Sequence, residues 1–427
     1  MSPMNIPSRR FLRYGVAMAA GCLLLSACGG TSTSDSDGDT GAVANMPPGT
    51  PITIGYVASE SGPQANNGIT GVATAKAWVK ATNAAGGILG HPVVLKVTDS
   101  KNTVPGAQSA VQAYKSDSSV DLLMLTDLVA ETAMKGVLAD TNMAVLSGGG
   151  SSDDATWGAA PNLFQDVSGQ RAVVQSMIQG AKSAGATKVG FAACAEVAVC
   201  AQNAKPAEAY ASQLGLKFGG AQQISATATS YTAQCLAFRN AGVDSIAMNI
   251  GVDVGVRLIA DCLQQGYTGT FAMPNSGFDQ TKVGKVSGAK TVDATQGFPW
   301  WADTPAVAAF RNAMNKYSPK TPYTSGQATS VWASLELLAK ALNNAKPAEI
   351  NRDSVMSAMY TIQNETLGGL LAQPISYAKG QNSPTVWCLW EFKYNTGDKD
   401  PTAIPPTGPS GNGATGDLAS TCVKPVS

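Results

Sequence analysis

Ile52-Thr53-Ile54-Gly55-Tyr56-Val57, the octet NAAGGILG at 83–90 and Val93-Val94-Leu95-Lys96-Val97-Thr98 decide the fold. The two apolar runs have the length and composition of buried strands. Between them Gly71 to Asn83 reads as a helix, stopped by Ala84-Ala85-Gly86-Gly87. Strand, helix, strand at this spacing predicts a parallel pair with a right-handed crossover.

Working outward, the rhythm continues. A helix over 105–117 starts at Pro105, a favoured first-turn residue. Asp121 to Leu125 reads as a strand, Glu131 to Asp140 as a helix and Ala144 to Ser147 as a strand. After Pro161–Asp166 the pattern restarts. Helices are expected at Gln170–Ala184, Ala204–Leu214, Thr232–Ala241 and Val254–Gln265, and strands at Lys188–Ala193, Gly220–Ile224, Ser245–Ile250 and Thr270–Met273. From about Gly297 helices return at Pro305–Tyr317, Ser325–Asn343 and Arg352–Met359. Strands near Ile375–Tyr377 and Val386–Phe392 close the chain. Roughly 375 residues follow Gly49, too many for one ordinary core. The expectation is an α/β protein of two Rossmann-like lobes: 51–166 with 297–373, and 167–296 with 374–395. Hinges are expected near Asp166–Gly169, Gln296–Pro299 and Gln373–Ile375.

The N-terminus reads as an export signal. Arg9, Arg10 and Arg13 precede an apolar run, Tyr14 to Ala27, of 14 residues. That is shorter than the ~20 residues of a membrane span. Leu25-Ser26-Ala27-Cys28 has the form of a bacterial lipoprotein cleavage site, with Cys28 as the lipidated residue. Ser8-Arg9-Arg10-Phe11-Leu12 is one residue short of the usual twin-arginine spacing, so the arginines read as ordinary positive charge. Residues 28–50 are Gly, Ser, Thr, Asp and Pro with little to bury, a flexible tether. Residues 396–427 have similar composition and read as a loose tail that Cys422 could pin.

Of 29 Lys+Arg and 29 Asp+Glu, three Arg and no acid lie in 1–27, so the mature chain carries 26 − 29 = −3. No basic stripe points to nucleic acid. Once Cys22 leaves with the signal and Cys28 is lipidated, six cysteines remain. An even number outside the cytoplasm favours disulfides. Many pairings are open; the sequential set Cys194–Cys200, Cys235–Cys262 and Cys388–Cys422 is preferred. The first pair flanks a short loop, the second sits on successive helices around one strand, and the third ties a late strand to the tail. No CxxC and a single histidine, His91, argue against a metal. No GxSxG, His-based triad or phosphate loop is present, so neither an enzyme nor a cofactor is expected.

The ordered set resembles the branched-chain amino-acid binding proteins of ABC importers. Its pieces are Ile54-Gly-Tyr-Val with Ser61-Gly62-Pro63, then NAAGGILG, Pro105–Tyr114, Ser147-Gly-Gly-Gly-Ser151 and Asn162-Leu-Phe-Gln-Asp-Val, and it spans about 51 to 393. The resemblance implies a type I periplasmic-binding fold with three hinge crossings, a small-molecule ligand between the lobes and permease subunits as partners. The signal and Cys28 imply an extracytoplasmic protein held to a membrane by lipid, and we read it as a monomer. A ligand-sensing receptor of the same architecture is the alternative.

Ligands of open parallel sheets sit outside the carboxyl ends of the strands, where helix N-termini present free N–H groups. The loops concerned are 59–68, 126–131 and 148–154 in the first lobe, and 194–203, 249–253 and 274–279 in the second. Candidate contacts are Ser61 and Gly62, Asn67, then Gly149, Gly150 and Ser151, whose glycines permit close backbone approach. Asp127, Val129 and Ala130 stand where the resemblance puts a serine-rich ligand loop. Asn249 lies on the next rim. Asn275 stands where the relatives carry an acid for a ligand ammonium; Asp253 is the nearby substitute. Cys194, Ala198 and Cys200 occupy a loop where they carry a tyrosine. Trp300 and Trp301, at the second crossing, are candidates for stacking, with the two rings expected to point opposite ways.

Overall fold

A computed structural model of the chain describes residues 46–62, 65–149, 153–196, 200, 202–274 and 277–423. The expectations for the signal, Cys28, Gly150, Ser151, Ala198 and Asn275 lie outside these residues.

Ile52–Ala58 (β1) pairs in parallel with Val93–Asp99 (β2) on one side and Leu122–Thr126 (β3) on the other. Ala144–Leu146 (β4) and Leu163–Phe164 (β5) complete a five-stranded parallel sheet of order β2-β1-β3-β4-β5. Period-two alternation splits each strand between two cores. Leu122 and Met124 face Ala65–Ala84 (α1); Leu123 and Leu125 face Val104–Ser116 (α2) and Leu128–Ala139 (α3). Covering both faces is what a parallel sheet requires.

The short helix Asp154–Trp157 (α4) and β5 lead to Gln170–Ser183 (α5), which packs on the second sheet. That sheet uses Lys188–Cys194 (β6), Lys217–Ile224 (β7), Ser245–Asn249 (β8), Thr270–Pro274 (β9), Lys290–Thr295 (β10), Cys388–Asn395 (β11) and Thr402–Ala403 (β12). Its order is β12-β11-β10-β9-β8-β6-β7, parallel from β7 to β10 and antiparallel beyond. Ala204–Gln213 (α6), Thr232–Asn240 (α7), Val252–Gln264 (α8) and the single turn Gln280–Val283 (α9) connect these strands. After β10, Pro305–Tyr317 (α10) and Gly326–Ala345 (α11) return to pack on α1, and Arg352–Met359 (α12) packs on β4 and α11. The chain therefore passes between the two sheets three times, giving the expected α/β, two-lobed arrangement.

All three disulfides pair sequentially. Cys194–Cys200 closes the loop after β6, Cys235–Cys262 joins α7 to α8, and Cys388–Cys422 joins β11 to Thr421–Cys422 (β13).

Several expectations change. The strand β10 was absent from the sequence reading because Lys-Thr-Val-Asp-Ala-Thr looks polar; Thr291, Asp293 and Thr295 are nevertheless buried between β9 and β11. Burial pushes the Asp293 carboxyl well above its ordinary range. Ile375–Tyr377 is no strand, only a bridge from Ile375 to Glu365. Helices α1 and α3 begin at Ala65 and Leu128, several residues before Gly71 and Glu131. The low helix propensity of Asn66-Asn67-Gly68 hid the first start; Gly68 fits there because a Cβ would lie 1.8 Å from the Ser59 carbonyl oxygen.

The tail is docked rather than loose. Asn412 is buried and donates to the carbonyls of Gly369, Leu371 and Leu418, and Ser420 donates to Ala372. The end of the expected tether is docked too: Gly49 N–H donates to the Gly90 carbonyl at 3.0 Å, and the Thr50 carbonyl meets His91 Nδ1 at 2.7 Å. Hydrogen bonds of a few backbone groups and single polar side chains, with the Cys388–Cys422 bridge, achieve this, and composition does not register them.

Candidate functional site

The carboxyl ends of the two sheets meet. Asn66, in the first turn of α1, donates from Nδ2 to Asp253 in the first turn of α8. Asp253 also pairs with Lys282 Nζ at 2.6 Å. Gly169, just before α5, is pressed against the Asp154 carboxylate of the first lobe, so closely that a Cβ would lie 2.0 Å from Oδ1.

The hinge side is a continuous polar seam. Asp166 is buried on the first crossing and accepts from the hydroxyls of Ser147, after β4, and Ser334, on α11. Burial raises its carboxyl above the usual range, with the two hydroxyls pulling the other way. Gln296 on the second crossing donates to the Ser168 carbonyl on the first. Gly297 then lies against the start of α11, at Gly326, Thr329 and Ser330. On the rim of the first lobe, Glu131 is buried beside Asp153, Asp127 and Asp154, and burial holds its carboxyl well above the usual range.

Each candidate can now be placed. Ser61 donates its hydroxyl to Asp99 at 2.6 Å, and Asp99 also accepts from the N–H groups of Glu60 and Lys101, so Ser61 builds the turn after β1. Gly62 adopts φ +90° against Lys101 and Asn102. Asn67 is half-buried within α1, not in a loop. Asp127 is buried and its carboxylate accepts from Ser100 and from Asn102 Nδ2, at 2.9 Å for the latter. Val129 and Ala130 belong to the backbone of α3. Gly149 has φ +76°, and its close neighbour is α11.

Asn249, the last residue of β8, is buried and accepts from Gln170 Nε2 at 2.7 Å. Asp253 is committed to Lys282 and Asn66, as above. Trp300 is buried, stacks on Phe278 and donates Nε1 to Gln280 at 3.2 Å. Trp301 packs edge-on against Trp300 and Phe392. Both rings reach Phe392 because 300–301 is a turn rather than a strand, so the opposite-face expectation fails.

Asp166, Ser168 and Gln296 fall in segments expected as hinges, but neither they nor Gln170 stood out in the sequence as site residues. The available signal was a cluster of polar residues at the restarts of the strand–helix pattern. Their burial follows from the crossing of three segments, which no local periodicity reports.

Among the described residues no cluster of metal-ligating side chains occurs, and no helix is long and apolar enough to cross a membrane.

Residues 51–397 match the family model described as periplasmic binding protein. No curated protein matches the chain. Among solved structures, a branched-chain amino acid ABC transporter protein from Thermus thermophilus with bound valine aligns at 15% identity and TM-score 0.70, covering 83% of this chain and 96% of that one. A fatty acid ABC transporter substrate-binding protein from Thermomonospora curvata aligns at 20% identity and TM-score 0.70, covering 83% and 91%. A solute-binding protein from R. palustris in complex with benzoate aligns at 15% identity and TM-score 0.66, covering 83% and 95%.

Proposed function

Since this chain belongs to the periplasmic binding protein family, we propose that it is an extracytoplasmic solute-binding lipoprotein feeding an ABC importer. Its cargo is one small polar metabolite, an amino acid or a related carboxylate or amide, held between the lobes. The observation that carries this reading is the meeting of both sheets' carboxyl ends, at Asn66–Asp253 and at Gly169–Asp154. A solute touching both rims favours the closed arrangement by its differential affinity, and a permease that reads closure accepts it. The solved relatives whose names mention valine, a fatty acid and benzoate support capture of an organic solute as a class.

In this reading residues 1–27 are removed, Cys28 carries lipid, and the chain after it reaches the first lobe as a tether. The lobes comprise 51–166 with 297–373, and 167–296 with 374–395. Cys28→Ser is expected to abolish metabolic labelling with a lipid precursor and to release the protein from the membrane fraction. Labelling that persists in that variant would end the lipoprotein assignment.

A thermal-shift panel of amino acids, amides and organic acids tests the cargo. One class is expected to raise the melting temperature, since ligand at 100 times its Kd adds ~2.7 kcal/mol. A flat response across the whole panel counts against the small-polar-cargo reading.

A further inference from the structure

Two buried side-chain amides at the interlobe junction are only half satisfied. Gln170 heads α5, directly after Gly169, which presses on Asp154 of the first lobe. Asn249 ends β8 at the carboxyl rim of the second sheet. They are 8% and 6% exposed, and Gln170 Nε2 donates to Asn249 Oδ1 at 2.7 Å. Gln170 Oε1 and Asn249 Nδ2 have no partner among the described residues. Leaving such groups bare is costly. Turning both amides over changes nothing in kind, because one acceptor and one donor still remain free.

We propose that this pair is a carboxamide-reading subsite: it takes a ligand headgroup that offers one N–H and one carbonyl oxygen side by side. The inference rests on the solute-binding reading and narrows it. A carboxylate brings two acceptors, so one of its oxygens would face Gln170 Oε1. An ammonium brings only donors, so it would face Asn249 Nδ2. A primary amide brings one donor and one acceptor, the complement of the two free atoms. A site built to hydrogen-bond one polar pattern rejects the isostere lacking it far better than an apolar pocket rejects a methylene.

The test is calorimetric titration of the full mature chain at pH 7.5 with matched pairs: benzamide and benzoate, nicotinamide and nicotinate, isobutyramide and isobutyrate, glutamine and glutamate. The amide member of at least one pair is expected to bind at least tenfold more tightly than its acid. Asn249→Asp replaces the free donor by an acceptor, so the preference should turn from benzamide towards benzamidine, which brings donors only. Gln170→Glu should produce the same turn, because the Asn249 amide must then rotate to donate to the new carboxylate and leaves two acceptors free, giving a second route if the first variant folds poorly. Acids binding as tightly as their amides in every pair would overturn the proposal, as would variants whose preference does not move. If no amide or acid binds while another compound class does, the amide subsite is wrong and solute capture stands. If nothing in any class binds, both readings fall.

Discussion

Gly149→Ala is expected to destabilise the protein by roughly 2–5 kcal/mol. Two terms add. The residue has φ +76°, a left-handed conformation that costs an L side chain about 1–2 kcal/mol. An added Cβ would also lie 2.1 Å from Ser330 Cβ, 2.8 Å from the Ser330 carbonyl carbon and 2.9 Å from the Val331 nitrogen. Two of these are backbone atoms of α11, which a rotamer change does not move. Overpacking of this kind typically costs about 1–3 kcal/mol. The control is Gly185→Ala, where φ is +95° but no atom lies within 4 Å of the added carbon; it should show the conformational term alone. Urea unfolding of both variants measures the difference. Equal losses at the two positions would mean that α11 yields freely, and that Gly149 is not fixed by the helix it touches.

Glu391→Gln is expected to reduce the stability lost between pH 4.5 and pH 8.5. Glu391 is buried on β11 and its Oε1 meets no donor. Burial pushes its carboxyl up to about 8, with the nearby Ser176 hydroxyl pulling weakly the other way. The folded state therefore holds a proton that the unfolded chain releases near pH 4.5. Below that value both states are protonated and the native state carries no penalty. As pH rises to about 8 the unfolded state gains by ionising, so native stability falls through this window and is level above it. The full difference is roughly 3–5 kcal/mol, which in a chain of this size is about 5 °C in melting temperature. Tyr210, whose phenol burial pushes to about 12 with Glu391 adding to it, stays silent across the window. The buried carboxyls of Asp293 and Glu131 are raised too and add slope of the same sign. The glutamine variant should thus melt higher than the parent at pH 8.5 and no higher at pH 4.5. Parallel melting curves against pH for the two proteins would show that Glu391 is not the group responsible.

Gly149 also shows where sequence reading stopped. A Gly-Gly-Gly-Ser run at the end of a strand reads naturally as backbone opened to a ligand. In the fold the close approach at Gly149 is to α11, a helix 180 residues later in the chain. Asp253 was read as a possible partner for a ligand's charge, and it is occupied by Lys282 and Asn66. In both cases the residue type was legible and its partner was not, since the partner lies on another element far along the chain. The strand β10 was lost for the opposite reason. Its Asp293 argues locally for a loop, while β9 and β11 on either side bury it in the sheet.

Taken alone, the order of residues determined the strand–helix alternation and the parallel pairing at the heart of each sheet, and it favoured the sequential disulfides without excluding others. These depend on short-range periodicity and on crossovers that bring successive helices together. Tertiary structure alone decided which polar groups are spent and which stay free: Asp127 and Asp253 find protein partners, whereas Gln170 Oε1 and Asn249 Nδ2 do not. Hydrogen-bond satisfaction is a property of atoms a few ångströms apart, and here those atoms are brought together from segments up to nearly 190 residues distant.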